Sequence, residues 1–83
     1  MKLNIIRQTL SGSKQPFEFE LHKAEYIVKN FGSGDVYVSF DENATDDESI
    51  KIPTMMGQLC INVTNEDNIV YVKGTGEVEV QQI

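Results

Sequence analysis

The stretch Pro16-Phe17-Glu18-Phe19-Glu20-Leu21-His22 alternates strictly between apolar and polar residues. Successive side chains of an extended chain point to opposite faces. Phe17, Phe19 and Leu21 therefore share one face, and Glu18, Glu20 and His22 share the other. That is the pattern of a strand with one buried and one wet side. The same period recurs outward from it. Val36, Val38 and Phe40 alternate with Tyr37 and Ser39, Leu59, Ile61 and Val63 with Cys60 and Asn62, and Val78 and Val80 with Glu77 and Glu79. Short runs at Lys2–Leu10, Ala24–Phe31, Ile50–Ile52 and Ile69–Lys73 complete the set. Lys2–Leu10 alternates only in part, which predicts a strand near a sheet edge or a subunit contact. No window keeps the i, i+3, i+4 repeat of an amphipathic helix beyond a turn.

Turn chemistry separates the runs. Gly32-Ser33-Gly34-Asp35 lies between two β-rich segments and predicts a hairpin with glycines at positive φ. Ser11-Gly12-Ser13, Asn65-Glu66-Asp67-Asn68 and Gly74-Thr75-Gly76 are the other turn clusters, and Pro53 stops the Ile50–Ile52 strand. The expected fold is all-β: one small antiparallel β-sandwich, jelly-roll or Ig-like, of seven to eight short strands spanning residues 1–83. Its expected core is Phe17, Phe19, Leu21, Val36, Val38, Phe40, Leu59, Ile61 and Val63.

Composition narrows the function. A domain of 83 residues buries a modest share of its surface and usually needs a disulfide, a metal or a partner. The single cysteine, Cys60, allows no internal bridge and reads as a small hydrophobe in a strand. With formal net charge -6 and seven scattered basic residues, the chain would repel nucleic-acid phosphate and anionic membranes. No signal peptide or membrane-spanning run is read in it.

An enzyme is not expected. His22 is the only imidazole, so neither a zinc site nor a cupin-type metal centre can be assembled from one chain. No serine lies in a nucleophile elbow. Acid–base work would need a buried carboxylate, and the pairs Glu18/Glu20 and Glu77/Glu79 lie on polar faces, so they read as solvated surface. Neither Gly-x-Gly pair precedes a helix, so neither forms a phosphate loop. No cofactor is expected. The sequons Asn43-Ala44-Thr45 and Asn62-Val63-Thr64 read as accidental without a secretory leader.

The acidic segment Asp41–Ser49 carries five carboxylates: Asp41, Glu42, Asp46, Asp47 and Glu48. Asp41, Asn43, Thr45 and Asp47 fall at calcium-loop spacing, but Asp46 stands where Gly belongs and Ile52 where a bidentate Glu belongs. An EF-hand is excluded. A solvated loop is the primary reading, and an irregular calcium site from those five carboxylates is the rival one.

Several strands are apolar on both faces. Ile6 and Leu10, Ile27 and Phe31, and Val70 and Val72 lie opposite faces that already hold Leu3 and Ile5, Tyr26 and Val28, and Ile69 and Tyr71. A two-layer sandwich has one inside, so these six are the interface candidates and a homo-oligomer is expected.

From Asn30 onward the chain resembles small β-sandwich proteins encoded in the structural-gene regions of tailed phages and prophages of Gram-positive bacteria. The residues that carry the resemblance are Asn30–Phe40, the Asn43-Ala44-Thr45 loop, Ile50-Lys51-Ile52-Pro53 and Val70–Val80 with its Tyr71-Val72-Lys73-Gly74-Thr75-Gly76 hairpin. The resemblance implies a virion component that decorates a capsid, forms a head fibre or serves at the head–tail junction. It implies capsid or head–tail partners and a place in the virion or the host cytoplasm, and it brings no catalytic residues. The expected function is thus a non-enzymatic structural role through self-assembly or capsid attachment. The alternative is a small module binding calcium or carbohydrate through the 41–48 loop, with Tyr26, Tyr37 and Tyr71 as stacking surface.

Overall fold

A computed structural model describes residues 4–20, 25–53, 57–62 and 68–82, the 57–62 segment by its backbone. It contains eight strands: β1 (Ile5–Ser11), β2 (Gln15–Glu18), β3 (Glu25–Asn30), β4 (Val36–Ser39), β5 (Ile50–Ile52), β6 (Gly57–Asn62), β7 (Ile69–Lys73) and β8 (Thr75–Gln82). A single 3-10 turn, Asp46–Glu48, interrupts the acidic loop. The strands form two four-stranded sheets, ordered β1-β8-β3-β6 and β2-β7-β4-β5.

Every pairing is antiparallel. First pairs with last (β1–β8), second with seventh (β2–β7), third with sixth (β3–β6) and fourth with fifth (β4–β5). The chain is thus a long hairpin folded over on itself, with β3–β8 and β4–β7 contacts closing the two sheets. This is a jelly roll, and it decides against the seven-stranded Ig-like arrangement.

Alternation explains what is inside. Leu10, Phe17, Phe19, Tyr26, Val28, Val36, Val38, Ile52, Val70, Val72, Val78 and Val80 form the core. Valine dominates because its branched side chain suits the pleated surface and has few rotamers to lose. Tyr26 sits between Phe19 and Phe40, with ring centroids 5.6 and 5.7 Å away in tilted geometry. Of the expected core, Phe17, Phe19, Val36 and Val38 are buried, and Phe40 packs against them. Leu21 and Val63 lie outside the described residues, as do the side chains of Leu59 and Ile61.

Four interface candidates are corrected by burial. Leu10, Val70 and Val72 belong to the core, and Ile6 packs against it. In β7 both faces are apolar, so period two alone leaves the inner face undecided. Register decides it, because Val70 pairs with inward Phe17 and Val72 with inward Val38. Ile69 and Tyr71 take the outer face instead.

The Gly32–Asp35 turn is also corrected. It joins β3 in one sheet to β4 in the other, so it is an arch between layers and not a hairpin. Alternation reads identically for both. Neither Gly32 nor Gly34 has a positive φ. The Tyr71–Gly76 segment is likewise a corner between sheets. The two corners pack on one another. A Cβ on Gly32 would lie 2.8 Å from the Thr75 carbonyl oxygen, and one on Gly76 would lie 2.7 Å from the Gly32 Cα. Asn30 braces the arch from beneath. Its amide nitrogen donates to the carbonyls of Gly34 (2.9 Å) and Ile52 (3.4 Å), and its amide oxygen accepts the Gly32 N–H at 2.9 Å.

Gly76 combines that contact with φ +88°. Gly76→Ala is therefore expected to cost about 2 kcal/mol or more in urea unfolding, since a left-handed non-glycine residue alone costs roughly 1–3. Gly34 has only an ordinary contact, 3.4 Å to the Thr75 hydroxyl, so Gly34→Ala should stay within about 0.5 kcal/mol of the parent. Equal costs for the two variants would contradict the corner packing.

Candidate functional site

Two surfaces hold the chemistry-bearing side chains. The first is the outer face of the β1-β8-β3-β6 sheet. Its inward positions are even-numbered: Leu10, Val78, Val80, Tyr26 and Val28. The odd positions therefore line the outside, and register stacks them in rows. Ile5, Gln81 and Ile27 make one row, and Arg7, Glu79 and Lys29 the next. Thr9 and Glu77 continue the pattern, with Phe31 alongside because its N–H donates to the Glu77 carbonyl at 2.9 Å.

The middle row is an ion triad. Arg7 donates to Glu79 Oε1 through Nη2 at 2.7 Å and Nε at 3.2 Å. The Lys29 ammonium lies 3.4 Å from the other oxygen, Oε2. The two cations cover the carboxylate so well that the Glu79 side chain is 8 % exposed on an outward face. The hydrogen bond from Arg7 holds its pKa below the ordinary 4.5. A carboxylate held ionised in this way is a poor general base. The triad therefore organises the surface, with two cations covering one carboxylate.

Around it lie exposed apolar residues. Phe31 is 53 % and Ile5 41 % exposed, and Ile27 is half-buried. Phe31 and Ile27 were expected on an outer face and are there. Ile5 takes the position in β1 that the sequence assigned to Ile6 and Leu10. The triad itself escaped the sequence reading. Arg7, Lys29 and Glu79 are far apart along the chain, and only the strand register brings them into a row.

The second surface is the acidic loop. Three of its five carboxylates have local partners. Thr45 caps the 3-10 turn reciprocally, its N–H and hydroxyl both donating to Glu48 Oε1 at 2.9 and 3.0 Å. These bonds hold the Glu48 carboxyl below its ordinary pKa. Asp41 Oδ1 accepts the Asn43 N–H at 2.9 Å. The Lys14 ammonium donates to the carbonyls of Ala44 (2.6 Å) and Glu42 (3.0 Å), and Lys73 pairs with Asp46 at 3.0 Å. Lys14, Thr45, Asp46, Asp47 and Lys73 line a shallow, open depression of about 720 Å³.

Calcium takes six to eight oxygens around one point. Asp41, Glu42, Asp46, Asp47 and Glu48 do not converge on one. Among the described residues no three His, Cys, Asp or Glu side chains are grouped to hold a metal. Two ammonium groups are tethered at the loop, Lys73 on the Asp46 carboxylate and Lys14 on backbone carbonyls. The proposed stacking tyrosines also divide, since Tyr26 is fully buried while Tyr37 and Tyr71 are half-buried on the outer face of the other sheet. His22 lies outside the described residues, and of Cys60 only the backbone position opposite Ile27 is described.

No protein family, curated protein sequence or solved structure matches this chain. Among the described residues no helix is long and apolar enough to cross a membrane.

The triad carries a pH signature. Because the folded pKa of Glu79 is lowered, its contribution to stability is complete above the unfolded value and fades as pH falls through the lower folded one. Glu79→Gln should therefore be less stable than the parent at pH 7. The gap should close as the pH falls below about 4, near the unfolded carboxylate value. Urea titrations at both pH values measure this, and a gap that widens in acid would contradict it. For the loop, melting curves with and without millimolar calcium should superimpose.

Proposed function

We propose that this chain is a non-enzymatic structural module that works by self-assembly, of the virion-associated kind found among phage and prophage proteins. The observation that carries this reading is the outer face of the β1-β8-β3-β6 sheet. There Ile5, Ile27 and Phe31 flank a triad in which two cations cover one carboxylate, leaving apolar residues beside ions that are all paired, with one net positive charge. Interfaces favour this composition, because desolvating an unpaired charge is costly and covering apolar area is favourable.

Two further points support it. The resemblance from Asn30 onward points to the same class. Jelly rolls also recur in capsid proteins, an analogy of fold that raises the class without assigning a role. Capsid or head–tail proteins are the proposed heterologous partners, and the virion or the host cytoplasm the proposed location. The calcium or carbohydrate alternative has no comparable support, since among the described residues no three carboxylates are grouped to hold a metal and one of the three tyrosines is in the core.

Size exclusion with light scattering tests the reading. The parent chain should run as an oligomer at high concentration. Ile5→Ser should weaken association while shifting the unfolding free energy by no more than about 1 kcal/mol, the span of strand preferences at an exposed position. A strict monomer at every concentration would sink the self-assembly claim.

A further inference from the structure

Four strands lie at sheet edges: β1 and β6 in the first sheet, β2 and β5 in the second. An open edge presents unpaired N–H and C=O groups, and proteins usually defend it with proline, charge, bulges or shortness. Two edges here are defended. In β2 the Phe19 N–H bonds to the Asn68 carbonyl at 2.8 Å, which by the two-residue period aims Phe17 and Gln15 at β7 as well. Pro16 and Glu18 therefore face the open side, and Pro16 has no N–H to offer. β5 is three residues long, carries Lys51 and is followed by Pro53. β6 is uncharged but opens on Gly57, a weak strand residue.

β1 has one of these defences, the charge of Arg7, and that side chain is tied to Glu79 within its own sheet. It is seven residues long, contains no Pro, Lys, Asp or Glu, and runs beside β8 through seven successive pairs without a bulge. Its ladder phase is fixed by the Gln82 N–H, which donates to the Asn4 carbonyl at 2.7 Å. Even-numbered residues thus bond to β8, and the backbone groups of Ile5, Arg7 and Thr9 point away from the sheet. Among the described residues no strand pairs with that side. The edge ends at Ser11, whose N–H is taken by the Gln15 side chain at 2.8 Å.

We propose that β1 pairs antiparallel with β1 of a second copy, joining two first sheets into one eight-stranded sheet across a two-fold axis. Charge favours a second copy docking here. Each chain carries formal net charge -6, so copies repel unless they meet where carboxylates are absent. β1 has no carboxylate, and its one charge, Arg7, is already neutralised by Glu79. A two-fold axis through Arg7 would oppose two guanidinium side chains. Moving the axis by one residue sets Arg7 against Ile5 or Thr9 of the other copy, and these registers are the favoured ones.

This inference rests on the self-assembly reading and is tested apart from it. Thr9→Pro removes an N–H that β8 does not use, so the β1–β8 ladder keeps its bonds while the open edge loses one. The parent should be a dimer by light scattering, with the Arg7 and Thr9 amides protected from hydrogen exchange at high concentration and released on dilution. Thr9→Pro should be a monomer with a cooperative melt. If the variant fails to fold, the parent's exchange pattern decides alone. An oligomer whose Arg7 and Thr9 amides stay unprotected, or one that survives Thr9→Pro, overturns edge pairing and leaves self-assembly standing. A monomer at all concentrations overturns both.

Discussion

The contact between Gly32 and Gly76 sets the geometry on which the rest of the fold depends. Here two backbone corners touch with no side chain between them, Cα against the place where a Cβ would be. One corner carries the chain from β3 to β4 and the other from β7 to β8, each from one sheet to the other. If either swung outward, β8 would lose its alignment with β3, and the valines on its inner face would lose their partners. Asn30 reinforces the same place by holding backbone groups of Gly32, Gly34 and Ile52 at once. A small core thus gains definition from a few polar bonds at its rim, consistent with the absence of unsatisfied buried side-chain atoms among the described residues.

Charge is organised with similar economy. The chain has almost twice as many acidic as basic residues, 13 against 7, and places much of the acid in a loop at one end. There Glu48 caps a turn and Asp46 meets a lysine from another segment. On the outer face of the first sheet the logic reverses, and one carboxylate is enclosed by two cations. The result is a molecule with a wet acidic loop and a partly apolar sheet whose central carboxylate is covered. Those two surfaces suit opposite tasks, one favouring solubility and the other contact.

Much of the fold was legible because alternation is a local property. Phe17 and Phe19, and Val36 and Val38, could be placed inside from their neighbours alone. Three things were not local. The inner face of β7 was hidden, because Ile69, Val70, Tyr71 and Val72 are apolar on both sides and only pairing with β2 and β4 breaks the tie. The corners were read as hairpins, because glycine between two strands looks the same whether the strands pair or part. The triad was invisible for the same reason, since Arg7 and Glu79 meet only after the first and last strands are paired. Of the candidate site, the sequence revealed the outward-facing Ile27 and Phe31 and missed the ions between them.

The nested pairing has a consequence for how the chain must come together. β8 occupies the slot between β1 and β3, so the first sheet lacks an interior strand until the last described segment arrives. Among the described strands only β4 and β5 are paired with a neighbour in sequence, which makes their loop a natural point of nucleation. As the chain leaves a ribosome, its two halves must wait for each other, with the inner edges of β1 and β3 uncovered until β8 inserts. Closure of this domain is therefore a late event in its synthesis, and the period before it is when unwanted strand pairing is most dangerous.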